Sequence, residues 1–174
     1  MIDMHYKGFI ITKELPTEER LAEILEKYRE TEEESEGFEW DWWQIGGRYG
    51  GKLKIHFDPT ETPENYYLYH ARNHKHFISR LLDDLKEKIP HFEELDYLTY
   101  MGLWEDTLYV DGAYYKDIID FDITNCYLVI DDEENLYIRE TWNGDNWIKH
   151  EDFEEKVKEI DLNGKFITSI DFHD

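Results

Sequence analysis

Three of the chain's six tryptophans, Trp40, Trp42 and Trp43, fall within four residues, and Gly46, Gly47, Gly50 and Gly51 follow within six. Nothing else in the sequence restricts the fold as much. Large rings supply contact area and need cover, whereas glycines let a backbone turn tightly or approach another group closely. Residues 38–51 are therefore expected to make a bent, closely packed connection around which the fold and any site are organised. Arg48 stands between the two glycine pairs. One reading makes this a binding loop, with glycine N–H groups and Arg48 cradling a phosphate or carboxylate while rings stack on a base. Its binding residues are then Asp41, Trp42, Trp43, Gly46, Gly47, Arg48 and Tyr49. The other reading is structural, with Asp41 or a neighbouring acid paired to Arg48 in a packed turn. The segment is no known phosphate loop, because it lacks the lysine and Ser/Thr of a Walker A motif and the GxGxxG spacing.

The rest of the chain supplies elements for that connection to join. Residues 5–12 read as a strand, with Tyr6, Phe9, Ile10 and Ile11 apolar and β-prone. Thr17 is placed to cap a helix, and Leu21, Ile24, Leu25 and Tyr28 recur at helical spacing. Residues 52–57 alternate as a strand. A helix is expected over 66–88, ended by Pro90, and a strand within 95–104. Residues 108–110 run into Asp111-Gly112, a turn signal. Residues 126–130 and 136–141 read as a hairpin, 143–145 as a loop, 151–160 as an acidic amphipathic helix, and 165–172 as a closing strand. This order predicts an α+β fold, a mainly antiparallel sheet with packed helices, as a single domain over 1–174. A ferredoxin-like arrangement with insertions fits the same order, and the terminal strands are expected near each other.

Charge narrows the class of partner. The chain carries 42 acids against 19 bases, a net charge of -23, yet 40% of it is apolar and 16% aromatic. That much hydrophobic matter folds, so the acidity belongs to a surface. Such a surface repels DNA, RNA and anionic membranes and suits basic partners. Residues 14–41 hold twelve acids and three bases, 117–134 seven acids and no base, and 151–161 six acids and two bases. The partner-facing candidates are Glu32, Glu33, Glu34 and Glu36, then Asp131, Asp132, Glu133 and Glu134. Spread over a folded surface, such stripes could imitate a nucleic-acid backbone; alone, each is a solvated face. One cysteine, Cys126, allows no internal disulfide and sits in an apolar run, as a core residue rather than a nucleophile. With no membrane-length segment and no signal peptide, a cytoplasmic location is expected.

Few residues suggest catalysis. Asp171 and His173 share one face of the last strand, where an aspartate could orient a histidine as a general base. His5 could meet them if the terminal strands pair. His70 and His74 would share a helix face, but Arg72 and Lys75 oppose a cation, so no metal and no cofactor is expected. No GxSxG is present.

Residues 41–51, Asp-Trp-Trp-Gln-Ile-Gly-Gly-Arg-Tyr-Gly-Gly, resemble a family of small proteins of bacteriophages and bacterial genomes. The family's signature is Asp-Trp-aromatic, then Ile-Gly-Gly-Arg and another aromatic. The C-terminal third is also similar: Leu128-Val129-Ile130-Asp131, Trp142-Asn143-Gly144, a helix, and a last strand ending in Asp171-x-His173. Here Tyr49 replaces a usual tryptophan, and Phe172 stands where cysteine is common. The resemblance implies a phage or mobile-element setting and brings no assigned reaction, cofactor or catalytic residue.

Together these features point first to a non-enzymatic accessory protein in the cytoplasm of a bacterial host. It would bind and inhibit a basic, nucleic-acid-handling defence component such as a CRISPR effector, without contacting nucleic acid or membrane itself. The alternative is a nucleotide or small-anion binding protein or hydrolase built on residues 42–48. A structural or assembly role is a third.

Overall fold

The computed structural model describes residues 4–28, 40, 42–49, 53–56, 67–68 and 107–173. Its strands are β1 (His5–Thr12), β2 (Trp42–Ile45), β3 (Leu53–His56), β4 (Tyr67–Leu68), β5 (Thr107–Tyr114), β6 (Leu128–Ile130), β7 (Leu136–Ile138), β8 (Glu140–Trp142), β9 (Trp147–Lys149) and β10 (Phe166–His173). Among the described residues the α-helices are α1 (Glu18–Glu26) and α2 (Phe153–Lys158). The fold is mixed α+β with a mainly antiparallel sheet, as expected.

The first and last strands lie at its centre. The order is β3-β5-β10-β1-β6-β7, with β2 also on β10 and β4 on β5. β1 and β10 pair antiparallel along their full length, from His5 opposite His173 to Thr12 opposite Phe166. Among the described strands, only β1 with β6 is parallel. One edge of β10 serves two partners end to end: β5 takes Phe166 to Thr168, and β2 takes Ile170 to His173. Between them, Gly46 N–H donates to the Ser169 carbonyl at 2.9 Å.

Alternation divides the sheet into two buried faces. On one, Ile10, Leu128, Ile130, Ile170 and Phe172 pack with Leu21, Ile24 and Leu25 of α1 and with Trp40. α1 forms where its sequence predicts, with the Thr17 hydroxyl accepting from Arg20 N–H at 3.1 Å. On the other face, Phe9, Ile11, Val129 and Ile167 pack with Phe153 and Val157 of α2. These two described helices thus cover opposite faces, whereas a ferredoxin-like packing would put both on one.

Three expectations change. Asp111-Gly112 is not a turn, because β5 runs straight through it. Tyr67 and Leu68 are strand rather than helix; the rest of 66–88, and 95–104, lie outside the described residues. The returning strand breaks at Arg139 into β7 and β8, and β8 pairs with an unforeseen β9 as a separate ribbon.

Candidate functional site

The site lies where β2, β10 and β1 run side by side. Register sets Trp42 beside His173, and His173 beside His5. Gln44, Asp171 and Lys7 make the next row on the same face. The first row brings three rings together. The His5 and His173 centroids are 5.1 Å apart, Trp42 and His173 5.5 Å, and His5 and Trp42 5.9 Å.

Asp171 fixes one of these rings. Its side chain is 1% exposed, and both carboxylate oxygens lie within reach of His5 Nδ1, at 2.8 and 3.0 Å. A buried carboxylate must be met by donors. Arg48 backbone N–H supplies another, to Oδ2 at 2.9 Å. With Nδ1–H committed to the carboxylate, Nε2 is the nitrogen of His5 that would exchange a proton.

The glycines explain how Asp171 is covered. Gly47–Tyr49 form a single 3-10 turn folded over this end of β10. Gly46 and Gly47 have φ of +69° and +55°, where side chains are strained. A Cβ on Gly47 would collide with the Asp171 carboxylate, and one on Gly46 with that of Asp111. The pair is therefore glycine because two buried carboxylates press on it from β10 and β5. The Tyr49 hydroxyl closes the turn, donating to the His5 carbonyl at 2.8 Å. Burial, then the Asp171 charge, pushes the Tyr49 phenol above its ordinary range, while Arg48 pulls it the other way. Tyr49 thus remains a donor at neutral pH.

The sequence's candidates sort as follows. Trp42 lies on the site face, 42% exposed, whereas Trp43 packs against the opposite core with Ile45. Gly46 and Gly47 are buried and Arg48 is exposed. Asp171 is in the site, but the imidazole it holds belongs to His5; His173 is the ring beside it. Asp41, Glu32, Glu33, Glu34, Glu36, His70 and His74 lie outside the described residues. Asp111, 3% exposed, escaped the sequence reading because Asp-Gly suggests a turn. Its place inside the apolar run 108–113 was the available signal.

The acids at 131–134 are mostly occupied within the protein. Asp131 is 8% exposed and not partner-facing; it accepts from Glu133 N–H, Asn135 N–H and the Tyr137 hydroxyl, shaping the β6–β7 turn. Asp132 pairs with Lys165 at 2.9 Å, and Glu134 with Arg20 and Lys27. Of the four, only Glu133 is exposed. Cys126 donates to the Ile123 carbonyl at 3.1 Å, and burial pushes its thiol up to about 12.

Compared with family models, with curated proteins and with solved structures, the chain matches none. The site must therefore be judged on its own chemistry. Among the described residues no group of three His, Cys, Asp or Glu is placed to hold a metal ion, and no helix is long and apolar enough to cross a membrane. What remains is an aspartate-oriented imidazole, a half-exposed indole in the same row, and an arginine on the turn above them.

Proposed function

We propose that this corner binds a small ligand carrying a planar ring and an anionic group, as a nucleotide does, and that His5 moves a proton on it. The observation that carries this reading is the Asp171 carboxylate placed around His5 Nδ1 in a row that includes Trp42. An aspartate so placed holds the imidazole's orientation and stabilises the imidazolium formed when Nε2 accepts a proton. In a hydrolysis, Nε2 would take the proton from the attacking water and return it to the leaving group. Trp42 would stack on the ligand's ring, and Arg48 would offset its negative charge.

Titration of nucleoside monophosphates, followed by Trp fluorescence and calorimetry, tests the binding half. Trp42→Ala and Arg48→Ala should each weaken affinity about tenfold or more. His5→Gln should leave affinity nearly intact and abolish turnover, read by mass spectrometry of the ligand. A folded Arg48→Ala protein with full affinity would sink the reading.

A second reading is favoured by the charge of -23. Both described helices expose acids: Glu18, Glu19, Glu23 and Glu26 on α1, and Glu154 and Glu155 on α2. On this reading the chain is an accessory protein of phage type, working in the cytoplasm of a bacterial host. It would occupy the basic surface of a nucleic-acid-handling defence protein such as a CRISPR effector. Association with a basic nuclease should weaken steeply with salt; salt-insensitive binding, or none, would count against it.

A further inference from the structure

β8 and β9 form a two-stranded ribbon apart from the main sheet. Trp142 and Trp147 stand directly opposite each other, ring centroids 5.5 Å apart and edge to face. They remain 49% and 46% exposed, and Ile148 on the other face of the ribbon is 44% exposed. Of the five large apolar side chains exposed among the described residues, three are on this one ribbon.

Two-stranded ribbons are marginal in water, and a cross-strand aromatic pair helps to hold one. That role requires the rings to touch each other. It does not require half of each to face solvent. Exposed apolar clusters with polar rims mark association surfaces, and tryptophan is prominent among residues that anchor them.

Charge selects the occupant. Residues 140–161 hold eight acids and three bases, and Glu151 and Glu155, which follow the ribbon in sequence, are exposed. A second copy would bring another -23 against this face, and an anionic lipid surface would meet the same repulsion. A cationic partner gains on both counts, because arginine stacks on indole faces while neighbouring cations meet the carboxylates.

We propose that Trp142 and Trp147 anchor a docking surface for a basic protein segment, with arginine stacked on the indoles and Glu151 and Glu155 pairing with the cations that flank it. The proposal rests on the second functional reading, that of a basic partner, and gives that partner a place to dock.

The test uses the whole chain and a fluorescent oligo-arginine peptide, with binding read by anisotropy at low ionic strength. Replacing both tryptophans by alanine should weaken binding about tenfold or more. Replacing both by leucine keeps an apolar cross-strand pair and removes the π faces; it should also weaken binding and should erase any preference for oligo-arginine over oligo-lysine. Undiminished binding by the leucine variant overturns the docking proposal and leaves the basic-partner reading standing. No binding by the unaltered chain overturns both. A dimer that dissociates on the tryptophan replacements would make a second copy the occupant and also overturn it.

Discussion

Gly47 has a positive φ and a buried carboxylate where its Cβ would be. Alanine there meets both obstacles, so Gly47→Ala should cost about 1–3 kcal/mol in urea unfolding. Because the turn would have to lift from Asp171, the His5 side-chain NMR signals should move as well. A variant as stable as the parent, with unchanged histidine signals, would show that the turn does not press on the carboxylate. Cys126 provides a check at the opposite face of reactivity. With its thiol held near 12 by burial, it stays protonated at pH 8 and should react with a thiol reagent far more slowly than in the urea-unfolded chain. Equal rates would mean that the β6 end is open to solvent.

At the level of elements, Arg139 joins the ribbon to the body. Its guanidinium donates to the Cys126 carbonyl at 3.2 Å and the Thr124 carbonyl at 2.7 Å, pairs with Glu154 at 3.1 Å, and lies 4.6 Å from the centre of the Phe153 ring. Arg139→Ala leaves two carbonyls without that donor and should cost about 1–3 kcal/mol. Hydrogen exchange should accelerate first over 140–149, while β1 and β10 keep their protection. The same element shows what sequence could and could not reveal. β1 was legible to its ends, because an apolar β-prone run meets the Thr17 cap soon after. β9 was not, because three residues after an Asn-Gly-Asp loop give no periodicity. β2 was hidden by its own glycines, since a run ending in Gly-Gly reads as a bend. The period of two put Asp171 and His173 on one face, but the carboxylate went to His5. Which histidine received the carboxylate depended on a register between strands at opposite ends of the chain, and no local pattern encodes that.

Across the whole molecule, acid should be the sensitive direction. Glu134 is held below the usual carboxylate range chiefly by the hydrogen bond from Lys27, and Asp132 by that from Lys165. Asp122 is lowered mainly by its hydrogen bond from Thr124, and Asp152 by that from Lys156. For each, the unfolded chain takes up its proton first as pH falls. The stability they contribute is complete above the ordinary carboxylate range, about pH 4, and is lost as pH drops through the lower folded values. The thermal midpoint should therefore be flat near neutrality and fall below about pH 4, less steeply in a Lys27→Met variant. An unchanged acid slope in that variant would show that the Glu134 pairing contributes nothing.

His5 and Asp171 are 166 residues apart in sequence, yet they meet on neighbouring strands at the centre of the sheet. Closing that loop must gather almost the whole chain before the reward of pairing arrives, which makes folding slow and strongly cooperative. It also ties the site to the integrity of the polypeptide. A ribosome that stalls before residue 171, or a protease that trims the final strand, leaves neither a weakened dyad nor a sheet with a central strand to carry it. The activity proposed for this corner would then be lost together with the fold, with no partially competent species between.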